Sequence, residues 1–267
     1  MKPLIHFAHA NGVPSQVYQK LFDLLKDEYE VIYVPLLGTD KRYPIDNHWE
    51  SLTNQVIDSI VRQAKGRPVI GLGHSLGSVL TFQAALKRPE LFSQVIMLDP
   101  PLIMGKDGFA LHVAKLLKLK AVDRMSPAAL SLRRRDHWDS REQAAELLRP
   151  KGFYKDFDAD CFQAYIDYAL TEDKVRGGVE LTIPKMDEVK VFRTNPSLWW
   201  LPRKKIHLPI HLVVAEQSPF LPRRFPQMVK KKFGVPFSIT AGGHMFPLEH
   251  PVEVVKLVKE LIQQQAQ

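Results

Sequence analysis

Five residues constrain the fold of this chain more than any others: Gly73-His74-Ser75-Leu76-Gly77. They follow the apolar run Pro68-Val69-Ile70-Gly71-Leu72 and lead into Val79-Leu80-Thr81-Phe82-Gln83-Ala84-Ala85-Leu86, which has helical period. The order is strand, sharp turn, helix. A serine at such a corner sits in strained backbone, with its hydroxyl pushed into a cleft. Glycines two before and two after it let the strand and helix backbones nearly touch. The N–H of Leu76 then points out of the helix N-terminus, where an oxyanion would form. An ordinary helix-capping serine is the bland reading; the paired glycines and the preceding strand argue for more.

Two other segments turn the corner into a constellation. Leu4-Ile5-His6-Phe7-Ala8 reads as a strand and is followed by His9-Ala10-Asn11-Gly12. Near the other end stands Gly242-Gly243-His244-Met245-Phe246-Pro247-Leu248-Glu249-His250-Pro251. Over almost its whole length the chain resembles the α/β-hydrolase superfamily, which combines a His-Gly loop, a nucleophile elbow and a late Gly-His in this order. The resemblance implies a serine esterase- or lipase-like member with a helical cap. It implies the fold class α/β, with a mostly parallel central sheet flanked by helices.

Composition agrees with that picture. At 267 residues, 45% hydrophobic and 25% charged, the chain can build one large core. The single cysteine, Cys161, rules out an intrachain disulfide and suits a reducing compartment. No apolar run reaches membrane-spanning length. Met1-Lys2-Pro3 runs straight into the first strand, so no signal peptide is expected. A cytoplasmic enzyme is expected. The formal charge of +8 suits steering of an anionic substrate or a plain solvated surface. Lys230-Lys231-Lys232 closes a helix, and Arg203-Lys204-Lys205 precedes a strand; no nucleic-acid motif accompanies them, so no nucleic-acid partner is expected.

Apolar runs alternate with amphipathic ones, the pattern of a parallel sheet wrapped by helices. Six strands are read: 4–8, 29–36, 68–72, 94–98, 210–215 and 236–240. Helices are read at 16–26, 48–64, 76–87, 222–232 and 252–264. The superfamily's usual sheet starts with two further strands, which are missing here. Residues 101–208 read as helical segments with no buried strand between them. The resemblance assigns them to an inserted cap, leaving 1–100 and 209–267 as the core.

Ser75 is the candidate nucleophile and His244 the base that a neutral hydroxyl needs. His74 packs at the elbow, and His250 reads as structural. His207 and His211 flank Pro209, which disfavours the helical spacing a metal pair would need. No metal and no cofactor are expected. The acid is open. The superfamily often carries it after the penultimate strand, where this chain has Ala215-Glu216-Gln217-Ser218 with serine at the expected position. Asp99, at a strand end, is the first choice. Glu216 is the alternative, and an incomplete triad in a ligand-binding relative is the third reading. Aligning His9-Ala10 with the His-Gly motif puts the oxyanion donors at Leu76 and Asn11, with Ala10 as the other option for the latter. The implied reaction cleaves a small-molecule carboxylic ester with a hydrophobic acyl group, or a thioester. No aspartate occupies the elbow, so dehalogenase and epoxide hydrolase chemistry is not expected. Among the large apolar residues of the insertion, including Phe153, Phe162 and Trp200, Phe109 and Trp199 are the candidate substrate contacts.

Overall fold

The computed structural model describes residues 1–124, 126–199, 201 and 207–265. The first half alternates strand and helix: β1 (Leu4–Ala8), α1 (Gln19–Leu25), β2 (Glu30–Tyr33), α2 (Glu50–Ala64), β3 (Val69–His74), α3 (Leu76–Lys87) and β4 (Phe92–Leu98). The chain then leaves the sheet through α4 (Gly105–Leu116), α5 (Ala128–Arg133), β5 (His137–Trp138), α6 (Arg141–Leu148), α7 (Ala159–Tyr168), β6 (Leu170–Glu172), β7 (Val179–Leu181) and α8 (Lys185–Arg193). It returns as β8 (Ile210–Ala215), α9 (Phe225–Phe233), β9 (Phe237–Thr240), α10 (Phe246–Glu249) and α11 (Pro251–Gln265).

The central sheet has six strands in the order β2-β1-β3-β4-β8-β9, every neighbouring pair parallel. Parallel strands covered on both faces read as unbroken apolar runs. That is why β1, β3 and β4 were legible: β1 and β3 are buried at every position, and β4 at all but Ser93. One face carries α2, α3 and α9, through Leu52, Val56, Ile60, Val79, Phe82 and Val229. The other carries α1 and α11, through Leu21, Leu25, Val254, Val258 and Leu261. Their spacing of three and four residues is the apolar stripe of an amphipathic helix.

Strand order reverses between β1 and β3, since β2 lies outside β1 while the later strands run outward from β3. In open α/β sheets a crevice forms there at the strand C-termini. The loop after β1 and the corner after β3 both face it.

The stretch between β4 and β8 differs from the expected helices-only segment. β5, β7 and β6 form a small antiparallel sheet. Strands of two or three residues are too short to leave a periodic trace. The stretch also divides its packing. Trp138, Leu148, Cys161, Tyr165 and Leu181 join the core beneath α1 and α11. Lys20 of α1 reaches over to Asp158 and Asp160 at the start of α7, at 2.8 and 2.9 Å. The remaining helices, α4, α5 and α8, border the crevice. Among the described residues no helix is long and apolar enough to cross a membrane. Trp200 and Arg203-Lys204-Lys205 lie outside the described residues.

Candidate active site

Ser75 occupies φ 52°, ψ −115°, a region that side chains rarely enter. Such a backbone costs about 1–3 kcal/mol and persists only where its surroundings hold it. Here the Ser75 N–H donates to Leu98 O at 2.9 Å, and the Gly77 N–H to His9 O at 3.1 Å. One residue further on, the Leu98 N–H donates to Ser78 Oγ at 2.9 Å. The corner is so tight that a β-carbon on Gly77 would lie 2.0 Å from Ala8 O, and one on Gly73 2.5 Å from the Gly77 carbonyl. Both glycines are therefore demanded by close approach.

The loop after β9 brings His244 to this corner. Its Nε2 lies 2.9 Å from Ser75 Oγ, and its Nδ1 lies 2.5 Å from Asp99 Oδ2. A carboxylate only accepts, so Nδ1 carries the proton and Nε2 is free to accept from the serine. Asp99 is fully buried at the end of β4. Its Oδ1 accepts from the Ala215 N–H at 3.2 Å, and its Oδ2 also accepts from Ser218 Oγ at 2.8 Å. Ser218 thus stands behind Asp99 and donates to the same carboxylate oxygen that His244 meets. Glu216 is solvent-exposed; its backbone N–H pairs with Thr240 O at 2.8 Å, and among the described residues its carboxylate makes no contact with His244. The alternative acid is not brought to the site, because the residue that turns inward after β8 is Ser218.

Further residues fix the histidine loop. His74 Nε2 donates to His244 O at 2.8 Å. Its Nδ1 must then accept, and it does so from the Tyr18 hydroxyl at 2.7 Å. Burial, with nearby His244 second, pushes the His74 pKa down to about 3, so the ring stays neutral. Glu249 accepts from the Gly243 N–H at 2.7 Å. Phe220 sets its edge against the His244 ring, centroids 5.7 Å apart.

Asn11 and Leu76 border the same cavity as Ser75 and His244. Leu76 is the first residue of α3, where a backbone N–H has no partner within the helix. The loop after β1 turns at Asn11-Gly12, closed by the Val13 N–H to Ala10 O at 3.1 Å, with Gly12 at φ 74°. His9 braces it from behind. The Leu37 N–H donates to His9 Nε2 at 2.7 Å, so Nδ1 holds the proton and donates to Ala10 O at 2.7 Å. Burial outweighs that hydrogen bond and pushes the His9 pKa down to about 4.

The cavity measures about 530 Å³. Apolar side chains dominate its wall: Ile103 and Leu111 before and within α4, Leu130 on α5, Phe192 on α8, and Phe220 and Phe225. Arg124 and the Arg223–Asp107 pair, at 3.1 Å, add charge to it. Two expected substrate contacts do not line it. Phe109 is 55% exposed, on a face of α4 turned from Leu111. Trp199 is buried against Phe82 and Phe233, with ring centroids 5.8 and 6.3 Å away, and belongs to the core under α3. Aromatic content alone does not distinguish a wall from a core. Neither Phe192 nor Leu130 is among the expected contacts, because the sequence reading places no helix at α5 or α8. A signal for α8 existed: Pro184, then Asp187 and Glu188, then Lys190 and Arg193 as basic residues at its end. Among the described residues no three His, Cys, Asp or Glu side chains converge as a metal site would require. His211 is instead engaged with Ser238 Oγ at 3.1 Å.

A six-stranded parallel sheet with a serine at the strand–helix corner, a late histidine and an apolar cleft defines the α/β-hydrolase class. The sequence model of that family, the alpha/beta hydrolase family, matches residues 7–257, and the chain belongs to it. A type I acyl-CoA thioesterase, mpaH, of Penicillium brevicompactum is 23% identical over 216 residues, 68% of this chain and 47% of the relative. The abhydrolase domain-containing protein AKT2 of Alternaria alternata is 29% identical over 108 residues, 40% of this chain and 36% of that one. The chain thus spans half or less of the length of these relatives. Among solved structures, E-2-(acetamidomethylene)succinate hydrolase superposes with a TM-score of 0.74 at 20% identity, covering 98% of this chain and 92% of that one. The thioesterase domain from the curacin biosynthetic pathway gives 0.72 at 17% identity, covering 97% and 91%. At these identities the likeness is one of fold.

Proposed function

We propose that the chain is a serine hydrolase that cleaves a carboxylic ester with a hydrophobic acyl group. The observation that carries this reading is the run of hydrogen bonds from Ser75 Oγ through His244 to buried Asp99, opening on an apolar cavity. Ser75 attacks the carbonyl carbon while His244 Nε2 takes its proton. Asp99 holds Nδ1–H and stabilises the imidazolium. The Leu76 and Asn11 amides receive the oxyanion. Collapse expels the alcohol, protonated by His244, and leaves an acyl-enzyme. Water activated by His244 then releases the acid.

Ser218 gives the chain a complete set of donors around Asp99 without a second carboxylate, which weakens the case for a non-hydrolytic ligand-binding protein. In this reading residues 101–208 act as the cap, with α4, α5 and α8 over the acyl site, and 1–100 with 209–267 form the core. A thioester is the second candidate substrate: two of the relatives above are named thioesterases, and the same machinery serves both bonds. The test is turnover of p-nitrophenyl esters and acyl-CoA thioesters of several chain lengths by the wild type and Ser75→Ala, with labelling by a fluorophosphonate. The reading expects turnover and labelling in the wild type alone. Near-normal hydrolysis by Ser75→Ala would sink it.

A further inference from the structure

Behind the loop after β1 lies a buried ion pair that the catalytic scheme does not use. Glu188 of α8 has a side chain only 7% exposed. Its Oε2 accepts from Arg134 Nη1 at 2.5 Å, and its Oε1 from Ser131 Oγ of α5 at 2.6 Å. Arg134, just past α5, also donates through Nη2 to the Tyr165 hydroxyl at 2.9 Å and the Tyr154 hydroxyl at 3.1 Å. Tyr165 belongs to α7, which is packed into the main core. The pair is therefore anchored on one side to the body of the protein and on the other to two helices that border the cavity.

The same pair touches the loop. Asn11 Nδ2 donates to the backbone carbonyl of Glu188 at 3.0 Å. The Gly12 backbone rests against the carboxylate so closely that a β-carbon there would lie 2.7 Å from Oε2. Gly12 is in the left-handed region, at φ 74°, so contact and turn demand the same residue. A buried ion pair is poor value as a stabiliser, since well-packed apolar groups of the same volume do as well or better. Its place against this turn suggests another use. We propose that Glu188, held by Arg134, is a positioning residue that sets the Asn11 amide for the oxyanion, so that α5 and α8 complete the hole only when seated. Arg134 also cancels the carboxylate's charge, which would otherwise oppose an oxyanion beside it.

The proposal rests on the serine-hydrolase reading, and its test separates the two. Asn11→Ala keeps the backbone amide and removes the side-chain hydrogen bond to the Glu188 carbonyl. Glu188→Gln removes the charge and preserves the size. kcat and KM are measured on a p-nitrophenyl ester for each variant, for the double variant and for the wild type, alongside thermal midpoints. Each single variant is expected to lower kcat by roughly ten- to a hundredfold with little change in KM, less than deleting an oxyanion donor outright. The double variant is expected to be no slower than the worse single one, because both act through one loop. Multiplying losses, a raised KM at unchanged kcat, or a lowered midpoint at unchanged kcat overturns the proposal. Should Glu188→Gln fail to fold, an unchanged kcat in Asn11→Ala overturns it alone. A wild type that neither turns over esters or thioesters nor takes up the fluorophosphonate overturns the hydrolase reading, and the positioning role of Glu188 with it.

Discussion

Replacing Asp99 with asparagine tests the relay at its most sensitive point. Asp99 accepts from three donors: Ala215 N–H on Oδ1, and both Ser218 Oγ–H and His244 Nδ1–H on Oδ2. An amide has one oxygen. If that oxygen faces Ala215, the NH₂ meets His244 Nδ1 and forces the proton onto Nε2, where it blocks acceptance from Ser75. If the oxygen faces His244, the NH₂ collides with the Ala215 N–H, a buried donor left unpaired at a cost of about 1–3 kcal/mol. The charge that would stabilise the imidazolium is lost either way. The equivalent change in a well-studied serine triad costs about 10⁴ in kcat, or roughly 5 kcal/mol of barrier. A loss of at least about a hundredfold in kcat/KM is therefore expected for Asp99→Asn. Glu216→Gln is expected to stay near wild type, since that side chain is exposed. Both are read on a short p-nitrophenyl ester, with circular dichroism to show that the fold survives. Asp99→Asn within about tenfold of wild type, or a larger loss from Glu216→Gln, would refute the reasoning.

The remaining expectations divide between selectivity and stability. Trimming Phe192 or Leu130 to alanine should shift the preferred acyl length, while Phe109→Ala should not; chain-length profiles that move with Phe109 alone would count against this cavity as the acyl site. Trp199→Ala removes a buried core ring and should cost about 3–5 kcal/mol of stability with the acyl preference unchanged, measured by urea unfolding. Gly77→Ala pushes a methyl into Ala8 O and should destabilise by at least about 2 kcal/mol while parting the loop from the elbow; a stable, active variant would contradict the packing. Buried His6, His74 and His9 have pKa values pushed down to about 3, 3 and 4, mainly by burial. Unfolded, they titrate near 6.5, so below that pH the unfolded chain binds more protons. Stability should then fall as pH drops from 6.5 to 5, by up to about 1.4 kcal/mol per unit for each histidine. A flat urea midpoint across that range would be inconsistent with neutral buried rings.

The local features of this protein were decided by its sequence. The elbow is five consecutive residues whose glycines, serine and flanking apolar runs announce a strand, a corner and a helix, although Leu98 and His9 from other segments hold the corner in place. The centre of the parallel sheet was legible for a similar reason: β1, β3 and β4, buried on both faces, leave continuous apolar runs, and the helices between the strands keep an apolar stripe. What needed tertiary structure were the relations between distant segments. Asp99 and Glu216 each end or follow a strand, and nothing in either neighbourhood says which one meets His244. That depends on β8 lying beside β4, so that the turn after β8 delivers Ser218 to the back of Asp99 and leaves Glu216 in solvent. Trp199 and Phe192 are both aromatic and seven residues apart, yet one fills the core and the other faces the cavity. The contact between Gly12 and Glu188 joins residues 176 positions apart, so no local pattern could announce it. Propensity and periodicity act within a few turns of chain, whereas a site is made by whichever strand ends and helix faces packing brings to one crevice.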